Sequence, residues 1–324
     1  MKLGIVGAGM IVKDFLTMTP LLPEIELKAI TGTPNGIDNM EKLQTQYGID
    51  RVYTDIDECL ANEEIDTIYV AVPNHLHFAF AKKALEAGKN VICEKPFTLN
   101  LAELKELAEL AQTKQLILLE AITNQYMMNY QKIKEAIPTL GEIKVIECNY
   151  SQYSSRYDAF KAGEILPAFN PKFGGGALMD INIYNIHFVV GLLGAPSSVK
   201  YLANIEKDID TSGILILNYP NTKVVCIGAK DSTATIRSTI QGTKGSVIVN
   251  GATNVLDNFD IESKAGVKNF DFKQNSHRMY EEFKVFQRII AEKDLKEAAL
   301  RLQHSEEVLR VVEQALADAH VQLG

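Results

Sequence analysis

The stretch from residue 66 to residue 96 constrains the fold more than any other part of the chain. Its run Ile68 to Val72 is apolar and rich in β-branched residues, which predicts a strand buried on both faces of a parallel sheet. A helical pattern follows Pro73, and a second strand is predicted from Asn90 to Cys93. Because a strand-helix-strand crossover is right-handed, both strands run the same way. The loops after the two strands therefore open onto the same crevice, where such sheets bind ligands. The second of these loops is Glu94-Lys95-Pro96.

Lys95 is the first candidate for chemistry in this crevice. Pro96 has no N–H to give a neighbouring strand and disfavours helical geometry in the residue before it, which fits a lysine held extended at the end of a strand. The alternative is an ordinary solvated lysine on a surface loop, since lysines are common there. Spacing alone leaves both interpretations open.

A glycine motif opens the chain. The predicted strand Lys2 to Val6 leads into Gly7-Ala8-Gly9-Met10-Ile11-Val12 and then a helix, which is two-thirds of a dinucleotide-binding fingerprint. Gly7 permits the tight turn, and Gly9 lets a pyrophosphate approach the backbone at the amino end of the helix. Val12 stands where glycine or alanine would allow close packing. The motif predicts a cofactor site, although glycine turns after strands also occur without a ligand.

The end of the second predicted strand, Ile25 to Ile30, bears on the choice of cofactor. An NAD site usually has an acidic side chain here for the ribose hydroxyls, and an NADP site a basic one. Residues 31–35 contain neither. Thr33 or Asn35 is able to hydrogen-bond a ribose or a 2′-phosphate, or else merely forms a turn. The missing carboxylate favours NADP, with use of both cofactors left open.

Two domains are predicted from the order of elements. Strands alternate with helices through residue 121, among them a helix from about Ile37 to Tyr47 and strands at Arg51 to Tyr53 and Gln115 to Ala121. This order predicts a doubly wound parallel sheet in a domain spanning residues 1–122. A second domain, residues 123–324, is expected to be α+β with a large, mostly antiparallel open sheet. The chain as a whole is expected to fall in the α/β class. Its predicted strands are Glu142 to Tyr153, Ser197 to Ile205, Gly213 to Tyr219, Lys223 to Ala229, Ala234 to Gln241 and Ser246 to Val249. Helices are expected near 276–290 and 298–319.

Composition excludes several classes of partner. The chain has 324 residues, a net charge of -8 and a pI near 5.4, which argues against nucleic acid or an anionic membrane as the main partner. Its four cysteines form no CxxC pair, so neither a zinc site nor a disulfide framework is indicated and no metal is expected. The apolar start contains three glycines and lacks a cleavage site, and no uninterrupted apolar run reaches membrane length. We expect a soluble, cytoplasmic protein.

A second constellation interrupts the predicted antiparallel sheet between residues 171 and 187. Three glycines, 174–176, precede a helix on which Asp180, Tyr184 and His187 follow the spacing i, i+4, i+7 and so share one stripe. Polar side chains in a line on an otherwise apolar helix suggest that this line faces a cleft. A buried, fully hydrogen-bonded structural network is the alternative.

Four sequence blocks together resemble a known family. GAGMIV, VPNHLH, AGKNVICEKP and NPKFGGGALMDINIY are similar to the Gfo/Idh/MocA oxidoreductases, which include glucose-fructose oxidoreductase and inositol dehydrogenase. Tyr184 stands where many members have histidine, which resembles the dihydrodiol dehydrogenase branch. Asn182 departs from the glycine usual in the family, and Val12 departs from its glycine motif.

The resemblance implies an NAD(P)-binding Rossmann domain, a C-terminal helix against that domain, and a role for each motif residue. Lys95, Tyr184 and Asp180 would be catalytic, and Asn124 and His187 would contact a small-molecule substrate. The cofactor-binding residues would be Gly7, Gly9, Met10, Ile11, Thr31, Thr33, Val72, Pro73, Asn74, His77, Glu94 and Lys95.

The chemistry of hydride transfer fits these residues. Oxidising a secondary alcohol requires a general base within hydrogen-bond reach of the hydroxyl. A tyrosine, whose ordinary pKa is about 10, is a poor base at neutral pH, but a neighbouring ammonium favours its ionised form. We therefore expect a dehydrogenase or reductase acting on a sugar, polyol or related cyclic alcohol or ketone. A cofactor-bound sensor without activity, and a redox-neutral glycosidase or lyase using tightly bound NAD, are the alternatives.

A homo-oligomer, dimer or tetramer, is expected from the second sheet. Along Gly213 to Tyr219 both alternating sets of side chains are apolar, with Leu215 on one face and Ile216 on the other. An antiparallel sheet usually leaves one polar face to water. Both faces therefore need a cover. The helix at 177–193 can cover one face, and an identical subunit would cover the other, as the resemblance also implies. Carboxyl-terminal helices folded back over that second face are the alternative.

Overall fold

The computed structural model describes all residues from 1 to 324, and it divides into two compact units. The first consists of Met1–Ala121 and Met279–Gln303, and the second of Ile122–Arg278 and His304–Gly324. The chain thus leaves the first unit at residue 121 and returns to it near the carboxyl end.

The first unit contains a parallel sheet of six strands with helices in the connections. The strands are β1 (Lys2–Val6), β2 (Glu26–Thr31), β3 (Arg51–Tyr53), β4 (Thr67–Val70), β5 (Asn90–Glu94) and β6 (Leu118–Ala121). Their connections carry helices α1 (Met10–Met18), α2 (Ile37–Tyr47), α3 (Ile56–Leu60), α4 (His77–Glu86) and α5 (Leu101–Lys114). The strand order is β3-β2-β1-β4-β5-β6, which confirms the doubly wound sheet. Its order reverses between β1 and β4, so ligands are expected at the carboxyl ends of those strands.

The second unit is built on a sheet of eight strands. Its elements are α6 (Met128–Ala136), β7 (Ile143–Ser151), α7 (Tyr157–Lys161), α8 (Ile183–Leu193), β8 (Ser198–Glu206), β9 (Ile209–Asn218), β10 (Lys223–Ala229), β11 (Arg237–Gly242), β12 (Gly245–Asn250), β13 (Asn258–Ser263) and β14 (Gly266–Phe270). The chain then forms α9 (Tyr280–Glu292) and α10 (Leu295–Asp318). All neighbouring strands are antiparallel except β7 and β10, which confirms the mostly antiparallel sheet.

An aromatic cluster forms part of the core of the first unit. The rings of Phe15, Tyr69 and Phe283 are all fully buried, with centroids 4.4 to 5.2 Å apart. Such tilted and edge-on pairs add to the free energy that their buried area contributes. Phe283 comes from α9, so the cluster explains why residues 279–303 group with the amino-terminal sheet.

The two faces of the second sheet differ. On β9, Leu215 and Leu217 are fully buried, whereas Ile214 is 41% exposed. The buried face packs against the helical segment before and within α8, because Asn182 and Asn185 donate hydrogen bonds to carbonyl groups of β10. The face that carries Leu215 is therefore covered by its own chain, and a partner subunit on the opposite face stays a prediction.

One segment has the length and composition of a membrane span. Pro171–Leu193 meets both criteria although it contains no uninterrupted apolar run of membrane length, so run length alone was too narrow a test. Within the protein, 72% of its most apolar window is buried. Core helices of soluble proteins share these properties, and a single segment of this kind is weak support for a membrane span.

Candidate active site

The glycine turn between β1 and α1 has a different requirement at each glycine. Gly7 adopts a φ of +115°, and a Cβ at this position would overlap the carbonyl oxygen of Ala71. Its N–H donates to the carbonyl of Thr31 at 2.8 Å. Gly9 precedes α1, and nothing lies within 4 Å of where its Cβ would be. Gly7 is thus required by the turn itself, while Gly9 faces open space at the amino end of a helix, where an anion is favoured.

Val12 does not intrude on that space. Its side chain is fully buried in α1, and it does not line the neighbouring cavity. The departure from the usual glycine motif is therefore accommodated in the core, and it leaves the backbone around Gly9 open.

A cavity of about 680 Å³ lies at the carboxyl ends of β1, β2 and β4. This volume is typical of sites for small molecules and cofactors. It is lined by Val6, Gly7, Ala8, Gly9, Thr31, Gly32, Thr33, Pro34, Gly36, Met40, Thr54, Ile56, Ala71, Val72, Pro73, Leu76 and Phe80. Six of the predicted cofactor residues are among them, and no charged side chain is. The open space at Gly9 and the position at the sheet reversal fit a bound dinucleotide.

The remaining predicted cofactor residues lie outside the cavity lining. Met10 is 71% exposed on the first turn of α1, and Ile11 beside it is half-buried. Asn74 begins the short 3₁₀ turn that leads into α4. Their roles toward the cofactor stay predictions.

His77 links the two loops that follow β4 and β5. Its ring is fully buried, with Nδ1 2.8 Å from the carbonyl oxygen of Pro96 and Nε2 2.9 Å from that of Val72. Burial lowers the pKa of His77, and the nearby Lys95 charge adds to this. The histidine therefore connects the backbone directly after Lys95 to the cavity wall at Val72.

Lys95 directly follows β5 and is half-buried. Glu94, the last residue of β5, is buried and accepts a hydrogen bond of 2.5 Å from the hydroxyl of Tyr69. Glu120 on the adjacent strand β6 accepts from the backbone N–H of Phe97 at 3.2 Å. Two buried carboxylates thus hold the strand ends next to the lysine, and the contact with Tyr69 gives Glu94 a structural role besides the predicted one.

In the second unit, the three glycines before α8 allow a tight approach to a buried carboxylate. A Cβ on Gly175 would lie 2.7 Å from the carbonyl oxygen of Pro167, and one on Gly176, whose φ is +104°, would overlap Oδ1 of Asp210. Asp210 is fully buried, and its Oδ2 accepts hydrogen bonds of 2.7 Å from the N–H of Leu178 and the hydroxyl of Tyr201. Burial raises the pKa of Asp210 to about 6, although these hydrogen bonds oppose the increase.

The helix that carries the polar stripe is not a regular α-helix. Leu178–Asn182 forms a π-helix before α8 begins at Ile183, and such wider turns occur frequently at functional sites. The i, i+4, i+7 spacing that was expected to place Asp180, Tyr184 and His187 on one stripe assumes a regular α-helix. It therefore does not hold between Asp180 and Tyr184. Asn182 is buried and bonds to the carbonyl of Cys226, because Gly228 on the facing strand leaves room for its side chain.

Tyr184 is 7% exposed and lies near Tyr150, with ring centroids 6.3 Å apart. The fully buried amide of Asn124 donates a hydrogen bond of 2.8 Å to the backbone carbonyl of Tyr184. Asn124 thus braces the backbone that presents the tyrosine. Its predicted contact with substrate stays a prediction.

His187 is fully buried beside a second histidine. Its Nδ1 lies 3.0 Å from Nε2 of His304, and its backbone carbonyl accepts a hydrogen bond from Gln125 at 2.9 Å. These contacts fit the structural-network alternative for this end of the stripe. The substrate role of His187 stays a prediction.

Sequence reasoning missed the residue that contacts Asp180. Lys230, just after β10, is only 3% exposed in its side chain, and its Nζ lies 2.8 Å from Oδ2 of Asp180. The same Nζ donates to the carbonyl of Ala168 at 2.6 Å. The signal was present, since Lys230 ends an apolar strand much as Lys95 does. The structure contains no group of three or more histidine, cysteine or acidic side chains placed to hold a metal ion.

The doubly wound sheet, the glycine turn and the neutral cavity at its reversal define a dinucleotide-binding protein. The family model "Oxidoreductase family, NAD-binding Rossmann fold" matches residues 1–121, and the model "GFO/IDH/MocA C-terminal domain" matches residues 130–248. The chain belongs to the GFO/IDH/MocA oxidoreductase family. It is accordingly an NAD(P)-dependent oxidoreductase, which confirms the family, the enzyme class and the cofactor type expected from the sequence.

Individual relatives match three quarters of the chain or more. It is 29% identical over 318 residues to the scyllo-inositol 2-dehydrogenase (NADP(+)) of Bacillus subtilis, covering 97% of this chain and 95% of that protein. An uncharacterized oxidoreductase of Escherichia coli is 30% identical over 249 residues, with 76% and 75% covered. The structure is similar to KijD10, a 3-ketoreductase from Actinomadura kijaniata, with a TM-score of 0.84 and 20% identity over 98% of this chain and 97% of that one. At this identity the structural match shows the fold alone.

Proposed function

We propose that the protein transfers hydride between a nicotinamide cofactor and a hydroxyl-bearing carbon of a sugar, polyol or related cyclic compound, or its ketone. The observation that carries the proposal is that Lys95 and Tyr184 are both present, each on a separately identified family motif. Relatives support the substrate class, because their names include scyllo-inositol, dihydrobenzene-diol and, in Hypocrea jecorina, D-xylose dehydrogenases.

Each side chain has a defined task in this chemistry. When bound, the cofactor accepts or donates the hydride. Tyr184 takes the proton of the substrate hydroxyl during oxidation and returns it during reduction. The Lys95 ammonium stabilises the negative charge that develops on the substrate oxygen. Asp180 accepts a hydrogen bond from a second substrate hydroxyl and so orients the ring.

Two substitutions test the assignment. Lys95→Met and Tyr184→Phe should each lower kcat by about 100-fold or more, because general acid-base catalysis is removed. Cofactor affinity, measured by fluorescence titration, should remain close to that of the wild type. Lys105→Met and Tyr153→Phe, on exposed side chains, are the matched controls. Full turnover in both active-site variants would refute the mechanism.

The same assay separates the alternative functions. Stoichiometric accumulation of oxidised or reduced cofactor, followed by absorbance over a panel of sugars and polyols, is expected of a dehydrogenase. Product formation without net change in the cofactor would identify a redox-neutral enzyme. Tight cofactor binding with no turnover of any substrate would identify a sensor.

We further propose that NADP is the preferred cofactor. No carboxylate lies in the turn after β2, and no charged side chain lines the cavity, so nothing there repels a 2′-phosphate. The named inositol and xylose dehydrogenases are NADP(+) enzymes. Titration with both reduced cofactors tests the preference, and tighter binding of NADH would contradict it.

We also propose a homo-oligomer assembled through the outer face of the second sheet. Ile227, Ile214 and Leu202 lie side by side on β10, β9 and β8, and Ile214 and Leu202 are 41% and 52% exposed. A contiguous apolar patch of this kind is typical of an interface. Ile214→Lys should dissociate the oligomer to the 35.9 kDa monomer in sedimentation experiments, whereas Val267→Lys on β14 should not.

The cytoplasm is the proposed location. All four cysteines are free and buried, which is compatible with a reducing compartment. Fractionation of cells is the direct test.

A further inference from the structure

The pair formed by Lys230 and Asp180 is unequal in its exposure. The Lys230 side chain is 3% exposed, whereas that of Asp180 is 36% exposed. A buried ammonium is costly unless a carboxylate compensates its charge, and Asp180 supplies that carboxylate at 2.8 Å. The lysine is therefore committed to the protein interior, while part of the carboxylate still faces outward.

Lys230 also contacts the segment between β7 and the glycines. Its Nζ donates to the carbonyl oxygen of Ala168 and lies 4.3 Å from the centre of the Phe169 ring. Phe169 is fully buried and stacks on Phe160, with ring centroids 4.8 Å apart. One ammonium thus holds both the Asp180 carboxylate and the backbone of the neighbouring loop.

Stability alone is a weak reason for such an arrangement. Replacing a buried ion pair by apolar side chains of similar volume is often neutral or stabilising. What an ion pair provides and an apolar contact does not is orientation, because hydrogen bonding fixes the direction of the carboxylate. Asp180 lies within the π-helix, two residues before its end and four residues before Tyr184.

We propose that Lys230 is a positioning residue that orients the Asp180 carboxylate toward a hydroxyl group of the substrate. Resting on the proposed function, this assigns Asp180 to substrate binding and gives its charge a partner within the second unit. The substrate class is correspondingly one with a second hydroxyl group besides the one that is oxidised, as in a vicinal polyol.

The test compares Lys230→Met, Lys230→Arg, Asp180→Asn and the double variant Lys230→Met/Asp180→Asn with the wild type. Lys230→Met should raise KM for a polyol by about tenfold or more, the effect of losing an oriented hydrogen bond to a charged group. Its kcat and cofactor affinity should change much less. Lys230→Arg keeps the charge and should recover part of the loss. Because both residues act through one contact, the double variant should be no worse than Asp180→Asn alone.

Each result decides the role of Lys230. A purely structural role predicts fewer active molecules, and therefore a lower kcat with an unchanged KM, which would overturn the proposal. The proposal would also be overturned if the increases in KM of the two single variants multiplied in the double variant. An unchanged KM in Asp180→Asn would overturn it as well. This last variant keeps Lys230 in place and so provides a test even if Lys230→Met fails to fold. If the wild type is active and any of these results is found, the positioning role alone is refuted. If the wild type is inactive on every sugar, polyol and related cyclic alcohol or ketone tested, the proposed function and the positioning role are refuted together.

Discussion

Asp210 should make the stability of this protein fall as the pH rises from about 4 to about 6. The residue is fully buried, and burial raises its pKa from 3.8 to about 6. In that range the folded chain holds a proton on Asp210 that the unfolded chain has released. Stability therefore decreases with increasing pH, because the unfolded state binds fewer protons than the folded one.

The pKa difference gives the size of the effect. A change from 3.8 to about 6 corresponds to roughly 3 kcal/mol in the free energy of unfolding between pH 4 and pH 7. Asp210→Asn removes the titrating group and keeps its shape. Since the amide nitrogen would occupy the buried position of Oδ1, which has no hydrogen-bond partner, a constant cost is expected in addition. Only the dependence on pH identifies the mechanism.

Urea denaturation from pH 4 to pH 7 measures this dependence. The difference in the free energy of unfolding between Asp210→Asn and wild type should shift in favour of the variant as the pH rises. Asp231→Asn is the control, because burial raises the pKa of Asp231 but hydrogen bonds from Ser212 and Thr211 outweigh this and lower it overall. A lowered pKa affects stability mainly below about pH 4, so the difference for this variant should change little over the range. A constant difference for Asp210→Asn as well would refute the reasoning.

The glycines and the cofactor turn give three further predictions. Gly9→Ala should fold normally, because its φ of -78° suits alanine, but bind cofactor more weakly in a fluorescence titration, whereas Gly7→Ala should lower the melting temperature. Gly176→Ala should lower the free energy of unfolding by about 2 kcal/mol more than Gly163→Ala, since both have positive φ but only Gly176 meets Asp210. Thr33→Asp should shift the ratio of dissociation constants toward NAD by about tenfold or more, because its charge repels a 2′-phosphate.

The first unit was predictable because its signals are local. The strands Lys2–Val6 and Arg51–Tyr53 and the helix Ile37–Tyr47 begin and end where the pattern indicated. Errors lie at boundaries set by backbone conformation. The strand expected from Gln115 begins only at Leu118, because Gln115 takes a left-handed conformation that ends α5.

In the second unit the pattern was weaker. The strands β13 and β14 were missed because β14 is an edge strand whose residues are largely exposed, so no apolar alternation marks it. Helix α6 was missed as well. The contact between Lys230 and Asp180 joins residues 50 positions apart and depends on how β10 is placed relative to the π-helix. Local sequence carries no information on such a register.

Asp210 shows why alternation of side chains along a strand did not predict every buried contact near the site. Counted from Ile214 in steps of two, Asp210 belongs to the exposed face of β9. The ladder with β8, however, passes from Asn204 opposite Ser212 to Ile205 opposite Asp210, so β9 has one extra residue at Thr211. Such a bulge shifts the side chains on one side of it to the other face of the strand. Asp210, just before the bulge, therefore points inward and accepts a hydrogen bond from the hydroxyl of Tyr201. Its carboxylate thereby meets the N–H of Leu178, at the start of the π-helix that carries Asp180. A single inserted residue in the sheet is therefore linked to the buried hydrogen bond at the start of this π-helix.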